Sequence, residues 1–201
     1  QVWLEAMAEF SVWMQPAADA RKSALQLRND AGGDAAKWRR FESTPKTPIS
    51  GAENVAAAAA KVRSFSQTYG HLTAQNLLAT MIKTEFPARI AVVSSFGTEA
   101  AILLHMVAKV DPTTPVVLLD TGKLFDETLT YRDTLIDQLG LTDVRSVQPD
   151  PARIAELDPQ GGLWEQDPDL CCQIRKVEPL GPALESFDTW ITGRKRYQGK
   201  R

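Results

Sequence analysis

The run Ile90-Ala-Val-Val93, followed by Ser94-Ser-Phe-Gly-Thr98 and then by Ala100-Ala-Ile-Leu-Leu-His-Met-Val-Ala-Lys109, leaves few folds open to this chain. A short β-branched run reads as a buried parallel strand, and the alanine- and leucine-rich stretch behind it reads as a helix. The turn between them is made of small residues. Gly97 is expected to let the backbone approach whatever sits there, while Ser94 and Ser95 place hydroxyls beside the N–H groups of the helix N-terminus. An anionic group is the expected guest. Glu99, in the first turn, suits the positive end of the helix dipole. His105 reads as a packed, hydrogen-bonded core residue.

The same alternation continues along the chain. Helical stretches at Ala56 to Ser66 and, behind Leu72-Thr73, at Asn76 to Ile82 end at Phe86-Pro87. Asp111-Pro-Thr-Thr-Pro115 leads into a strand at Val116 to Leu119, a helix from Asp126 to Leu139 closes at Gly140, and a third strand runs near Val144 to Val147. Pro149-Asp-Pro151 starts a short helix around Ile154, and Thr189 to Thr192 form a last strand. The predicted class is α/β, a mainly parallel sheet with helices on both faces. Open sheets of this kind collect ligands at the carboxyl ends of their strands, which singles out Asp120-Thr121-Gly122 and the basic group Gly193-Arg-Lys-Arg196. Lys123 is expected to be solvated and Phe125 to pack under its loop.

At 201 residues and 43% hydrophobic content, the chain can build one such domain with a sizeable core. Its net charge of -2 argues against a general nucleic-acid or membrane-surface binder. No apolar run approaches the roughly 18 residues of a membrane span, and Glu5 and Glu9 lie where a secretory segment would be apolar, so the cytoplasm is the expected location. Residues 1–28 read as a helical extension, with apolar residues of Val2 to Met14 at helical spacing until Gln15-Pro16, and residues 29–54 as a Pro-, Ser- and Lys-containing linker. Residues 55–201 form the main domain. The start at Gln1 suggests a processed or cut sequence.

Taken with Leu119-Asp-Thr-Gly122, Asp169-Leu-Cys-Cys-Gln-Ile-Arg-Lys-Val-Glu-Pro-Leu180 and Trp190-Ile-Thr-Gly-Arg-Lys-Arg196, the serine turn resembles the adenylyl-sulfate and phosphoadenylyl-sulfate reductases of assimilatory sulfate reduction, over roughly Ala52 to Gln198. The resemblance implies an adenine-nucleotide α-hydrolase-like (PP-loop) fold. It also implies substrate contacts from Ser94, Ser95, Gly97, Asp120, Thr121, Gly122, Lys176, Lys195 and Arg196, with Arg175 a structural or substrate-facing neighbour. An adjacent pair such as Cys171-Cys172 marks the branch that acts on adenylyl sulfate and carries a [4Fe-4S] cluster, which needs four thiolates. This sequence holds two cysteines, and the family's second pair, Cys-x-x-Cys, is not among its residues.

The reaction implied by the resemblance is reduction of adenylyl sulfate to sulfite and AMP. A cysteine thiolate attacks the substrate sulfur, AMP leaves, and thioredoxin or glutaredoxin resolves the thiosulfonate. The family's nucleophile sits in a C-terminal Glu-Cys-Gly context that is not found here, so the domain is expected to be incomplete at its C-terminus and to bind substrate with little turnover. The alternatives are a phosphoadenylyl-sulfate reductase and a non-catalytic nucleotide-binding module of the same fold, and on any of these readings the chain is a candidate homo-oligomer. An ATP-using enzyme of the same fold is disfavoured, because Ser94-Ser-Phe-Gly-Thr-Glu99 departs from the Ser-Gly-Gly-x-Asp-Ser turn of those enzymes.

Overall fold

The computed structural model describes residues 13–16 and 51–193, with side chains from Ala60 onward. Five strands form one sheet in the order β1-β5-β2-β3-β4. They are β1 Trp13–Pro16, β2 Ile90–Val93, β3 Val116–Leu119, β4 Val144–Val147 and β5 Thr189–Thr192. The last four are mutually parallel, and β1 runs antiparallel along the outer edge of β5. The strand at Trp13–Pro16 corrects the helix expected to reach Met14. Helical spacing of apolar residues competes there with a pairing that β5 supplies from 175 residues or so away, and a proline is tolerated because the strand lies at the edge of the sheet.

Side-chain alternation divides the core in two. Ile90, Val92, Val116, Leu118 and Ile191 face one side, where they meet Leu78, Met81, Leu104, Val107 and Leu135. Ala91, Val117 and Trp190 face the other, against Leu184 and Phe187. The first side is covered by α2 (Ala74–Thr80), α3 (Ala100–Val110) and α4 (Asp126–Leu139), with Phe65 and Tyr69 of α1 (Gly51–Tyr69) packed at its margin. Helix α1 takes in the last four residues of the stretch read as linker, 51–54. Burying Leu103, Leu104, Met106, Val107 and Val110 of α3 contributes roughly 1.5–3 kcal/mol each before the entropy of ordering is charged against it.

The helix ends follow local chemistry. Thr73 caps α2 by accepting from the Asn76 amide. A π-helical segment, Met81–Glu85, then carries the chain to Phe86, whose amide closes on Met81, and Pro87 prevents continuation. Gly140 takes the left-handed conformation, φ 65°, that ends α4. Beyond β4 come α5 (Pro151–Leu157), capped by Asp150, α6 (Leu163–Gln166), α7 (Pro168–Cys172), capped by Asp167, a second π-helical segment at Gln173–Val177, and α8 (Glu178–Ala183). Leu180 and Ala183 of α8 pack on the second face of the sheet. The α/β class, the mainly parallel sheet and the helices on both faces are therefore as expected.

Candidate functional site

In the parallel part of the sheet, β3 and β4 lie to one side of β2 and β5 to the other. The chain moves outward from β2 to β3 and β4 and then crosses back past β2 to form β5, so the strand order reverses between β2 and β5, and at such a reversal doubly wound sheets bind ligands outside the carboxyl ends of the strands. Val93 is paired with Thr192 on one side and Val117 on the other, so Ser94 and Gly193 emerge next to each other at this switch point. The Ser94 amide is tied to Val117 O at 3.0 Å.

The serine turn is held by its own polar groups. Ser94 is buried, and its Oγ accepts from the Phe96 amide at 3.1 Å; Ser95, Gly97 and Thr98 are exposed. Phe96 carries the positive φ of the turn, 53°, and its side chain is fully buried. Gly97 does not have the left-handed conformation. A Cβ there would meet only Ser95 Oγ at 3.6 Å, so any need for glycine concerns space for a guest rather than strain. Glu99 occupies the N-cap position of α3, and the Ala100 amide that follows it donates to Gly97 O at 2.9 Å. His105 is exposed rather than packed, because it falls opposite Leu103, Leu104 and Val107 on α3.

One strand further, Asp120 accepts from the Gly122 amide at 3.1 Å and from Gln148 Nε2 at 3.0 Å. The Gln148 bond, the Gly122 bond and the Arg132 charge hold its carboxyl below the usual carboxylate value despite partial burial. Asp120 thus forms an Asx turn, and Gln148 at the end of β4 fixes its second oxygen. Gly122 has φ 68°, a conformation that favours glycine. Thr121 is buried, with Oγ1 accepting from the Lys123 amide at 3.3 Å. Lys123 is not merely solvated: its Nζ donates to Gly161 O at 2.9 Å. Phe125 is 77% exposed and does not pack under the loop.

The segment carrying the cysteine pair is tied to this loop by Arg175, which is buried. Its Nη1 donates to Thr121 O at 2.7 Å and its Nη2 pairs with Asp158 Oδ2 at 2.6 Å. Asp158, also buried, accepts from the Leu163 amide at 2.9 Å through Oδ1. Burial pulls the Asp158 carboxyl upward, but the Arg175 and Leu163 hydrogen bonds and the Arg175 and Lys123 charges outweigh it, and the net shift is below the ordinary value. Lys176, the next residue, is exposed, whereas Arg175 turns inward, since consecutive residues of a helical segment point in different directions. The same geometry separates Cys171, buried, from Cys172, exposed, both free thiols.

The two thiols do not by themselves fit a four-thiolate cluster. No group of three His, Cys, Asp or Glu side chains converges among the described residues, and the whole sequence offers two cysteines. Lys195 and Arg196 lie outside the described residues. Sequence reasoning did not single out Gln148 or Asp158; each is one polar residue in a loop, and its role exists only through a partner 28 or 17 positions away. Among the described residues, no helix is long and apolar enough to cross a membrane.

The chain is 46% identical over 140 residues to an adenosine 5'-phosphosulfate reductase of Mesorhizobium japonicum, covering 70% of this chain and 55% of that one. It is 41% identical over 118 residues to a phosphoadenosine 5'-phosphosulfate reductase of Alkalilimnicola ehrlichii, covering 56% and 48%. The chain thus spans about half the length of the curated relatives it matches. A crystal structure of a phosphoadenylyl-sulfate reductase from Candida auris, in a phosphate complex, superposes with a TM-score of 0.56 at 22% identity over 66% of each chain; at that identity the likeness is to the fold. The model of the phosphoadenosine phosphosulfate reductase domain matches residues 89–201, the stretch from the edge of β2 through the serine turn, the Arg175 segment and β5. With sequence motifs, sheet order and these matches in agreement, the chain belongs to the phosphoadenosine phosphosulfate reductase family.

Proposed function

We propose that this chain is the nucleotide-binding part of an adenylyl-sulfate reductase, which converts adenylyl sulfate to sulfite and AMP. The observation that carries the reading is the small-residue turn Ser94-Ser-Phe-Gly97 at the β2–β5 switch point, on a chain whose 46% identical relative is named for that substrate. Residues 55–201 would form this domain. Ser94, Ser95, Gly97 and the first amides of α3 receive the sulfate or phosphate oxygens; Asp120, Thr121 and Gly122 border the adenosine side; Lys176, Lys195 and Arg196 offset the substrate's negative charge, so that an anionic thiolate can approach the sulfur.

The electron balance is that of a dithiol. The S–O bond to AMP breaks as a sulfur–sulfur bond forms, and a second thiol releases sulfite, leaving a disulfide. Thioredoxin or glutaredoxin is the proposed donor and the cytoplasm the proposed location. Cys171 and Cys172 would contribute two thiolates to an iron–sulfur cluster whose remaining ligands these residues do not provide. The phosphoadenylyl-sulfate alternative has in its favour the 41% identical relative of that name.

Calorimetric titration of the chain with adenylyl sulfate, phosphoadenylyl sulfate and ATP, under anaerobic reducing conditions, tests the reading. Tightest binding of adenylyl sulfate is expected. Preference for phosphoadenylyl sulfate moves the substrate within the family, and binding of ATP alone overturns the proposal.

A further inference from the structure

Three separate segments meet at one buried guanidinium. Arg175 reaches 54 residues back to the Thr121 carbonyl and 17 back to the Asp158 carboxylate, and Asp158 in turn holds the Leu163 amide. A Cβ at Gly122 would stand 3.6 Å from Arg175 Nη1, so the loop backbone lies against the guanidinium itself. A second tie, Lys123 Nζ to Gly161 O, joins the same two loops. Within itself the loop after β3 is fastened more lightly, by Asp120 to the Gly122 amide and Thr121 Oγ1 to the Lys123 amide.

A buried ion pair is a poor way to gain stability, since desolvating both charges cancels most of their attraction. It is an effective way to impose one arrangement. The planar fork of arginine can serve two acceptors in different directions at once, which the single ammonium of lysine does not reproduce. Side-chain exposure of 7% for Arg175 and 2% for Asp158 leaves little room for water to substitute.

We propose that Arg175 is a positioning residue: by gripping the Thr121 carbonyl and the Asp158 carboxylate together, it sets the separation between the loop Asp120–Gly122 and the helical segment bearing Lys176 and the cysteine pair. This rests on the adenylyl-sulfate reading, and adds to it a residue that acts on substrate affinity without touching substrate. Lys176 is the next residue in the chain and is exposed, so its position is set by how Arg175 is anchored.

The test compares the 201-residue chain with its Arg175→Lys and Asp158→Asn variants by amide hydrogen exchange without ligand and by titration with adenylyl sulfate. Exchange at Gly122 and Lys123 is expected to quicken about tenfold in both variants while β2 and α3 keep their protection, and the Kd for adenylyl sulfate to rise about tenfold. Arg175→Lys should do no better than Asp158→Asn, because charge alone is not what the site requires. Unchanged exchange at Gly122 and Lys123 overturns the proposal. So does a uniform acceleration through β2 and α3 with unchanged affinity, the pattern of a pair that only stabilises. If the parent chain binds no adenylyl sulfate, the substrate reading fails, and the exchange pattern alone still decides whether Arg175 positions the loop.

Discussion

The Phe96 amide donates to Ser94 Oγ at 3.1 Å while Phe96 itself stands at φ 53° with its ring fully buried. Left-handed backbone at a bulky residue is strained, of order 1 kcal/mol, and persists where surrounding contacts determine it. Here those contacts are the core under the ring and the serine hydroxyl. Ser94→Ala removes an acceptor from a buried N–H and is expected to cost about 1–2 kcal/mol, read as a lower urea midpoint at unchanged slope. An unaltered midpoint would mean that the ring alone holds the turn.

Asp158 provides a prediction with a defined direction in pH. Its folded carboxyl lies below the ordinary value of 3.8, so its contribution is present above that value and is lost as pH falls through and below it. Asp158→Asn is expected to be less stable than the parent at neutral pH. The difference should narrow once pH drops below about 3.8, the ordinary carboxylate value, as the parent's carboxyl becomes protonated. Thermal melts of both proteins at a series of pH values measure the gap; a gap that widens on acidification contradicts the assignment.

Gly161 and Lys123 should behave as a coupled pair. Gly161 has φ 70°, and a Cβ there would come within 2.8 Å of Lys123 Nζ, the end of a flexible side chain. Gly161→Ala is expected to cost about 1 kcal/mol from the backbone alone. It should also displace the ammonium from Gly161 O, so Lys123→Met costs less in the Gly161→Ala background than in the parent. Equal costs in the two backgrounds would show that the lysine accommodates the methyl group without losing its bond.

Thr73 makes a simpler case. It satisfies the Asn76 amide at the start of α2, and Thr73→Ala is expected to lower stability by about 1 kcal/mol, with Thr73→Ser close to neutral. Denaturant unfolding of the three proteins distinguishes a cap from a mere turn residue.

Much of the parallel sheet could be read directly. Ile90–Val93 and Val116–Leu119 are short apolar runs, Thr189–Thr192 is a β-branched and aromatic one, and the last two are bounded by proline, aspartate or glycine; buried parallel strands require little else. The carboxyl-end position of the serine turn followed from the same reading. What escaped was whatever depends on a distant partner. His105 sits on a strongly apolar helix yet points outward, and only the packing of α3 against the sheet decides which side is which. Arg175 and Lys176 look interchangeable in sequence, and one is buried while the other is not. Phe125 reads as a packing residue by its type, but in this loop it is the neighbouring Leu124 that packs against the core, and Phe125 faces solvent.

The antiparallel seat of β1 on β5 bears on how this protein behaves at high concentration. At the other margin of the sheet, β4 shows exposed Arg145 and Ser146, a polar border that discourages recruitment of a foreign strand. The margin at β5 has no such device: Thr189, Trp190 and Ile191 are apolar or buried, and its free backbone groups are taken up by Trp13–Pro16. A version lacking residues 1–16 would present an unguarded ladder of donors and acceptors beside a tryptophan. Light scattering is expected to show it self-associating where the parent chain stays dispersed.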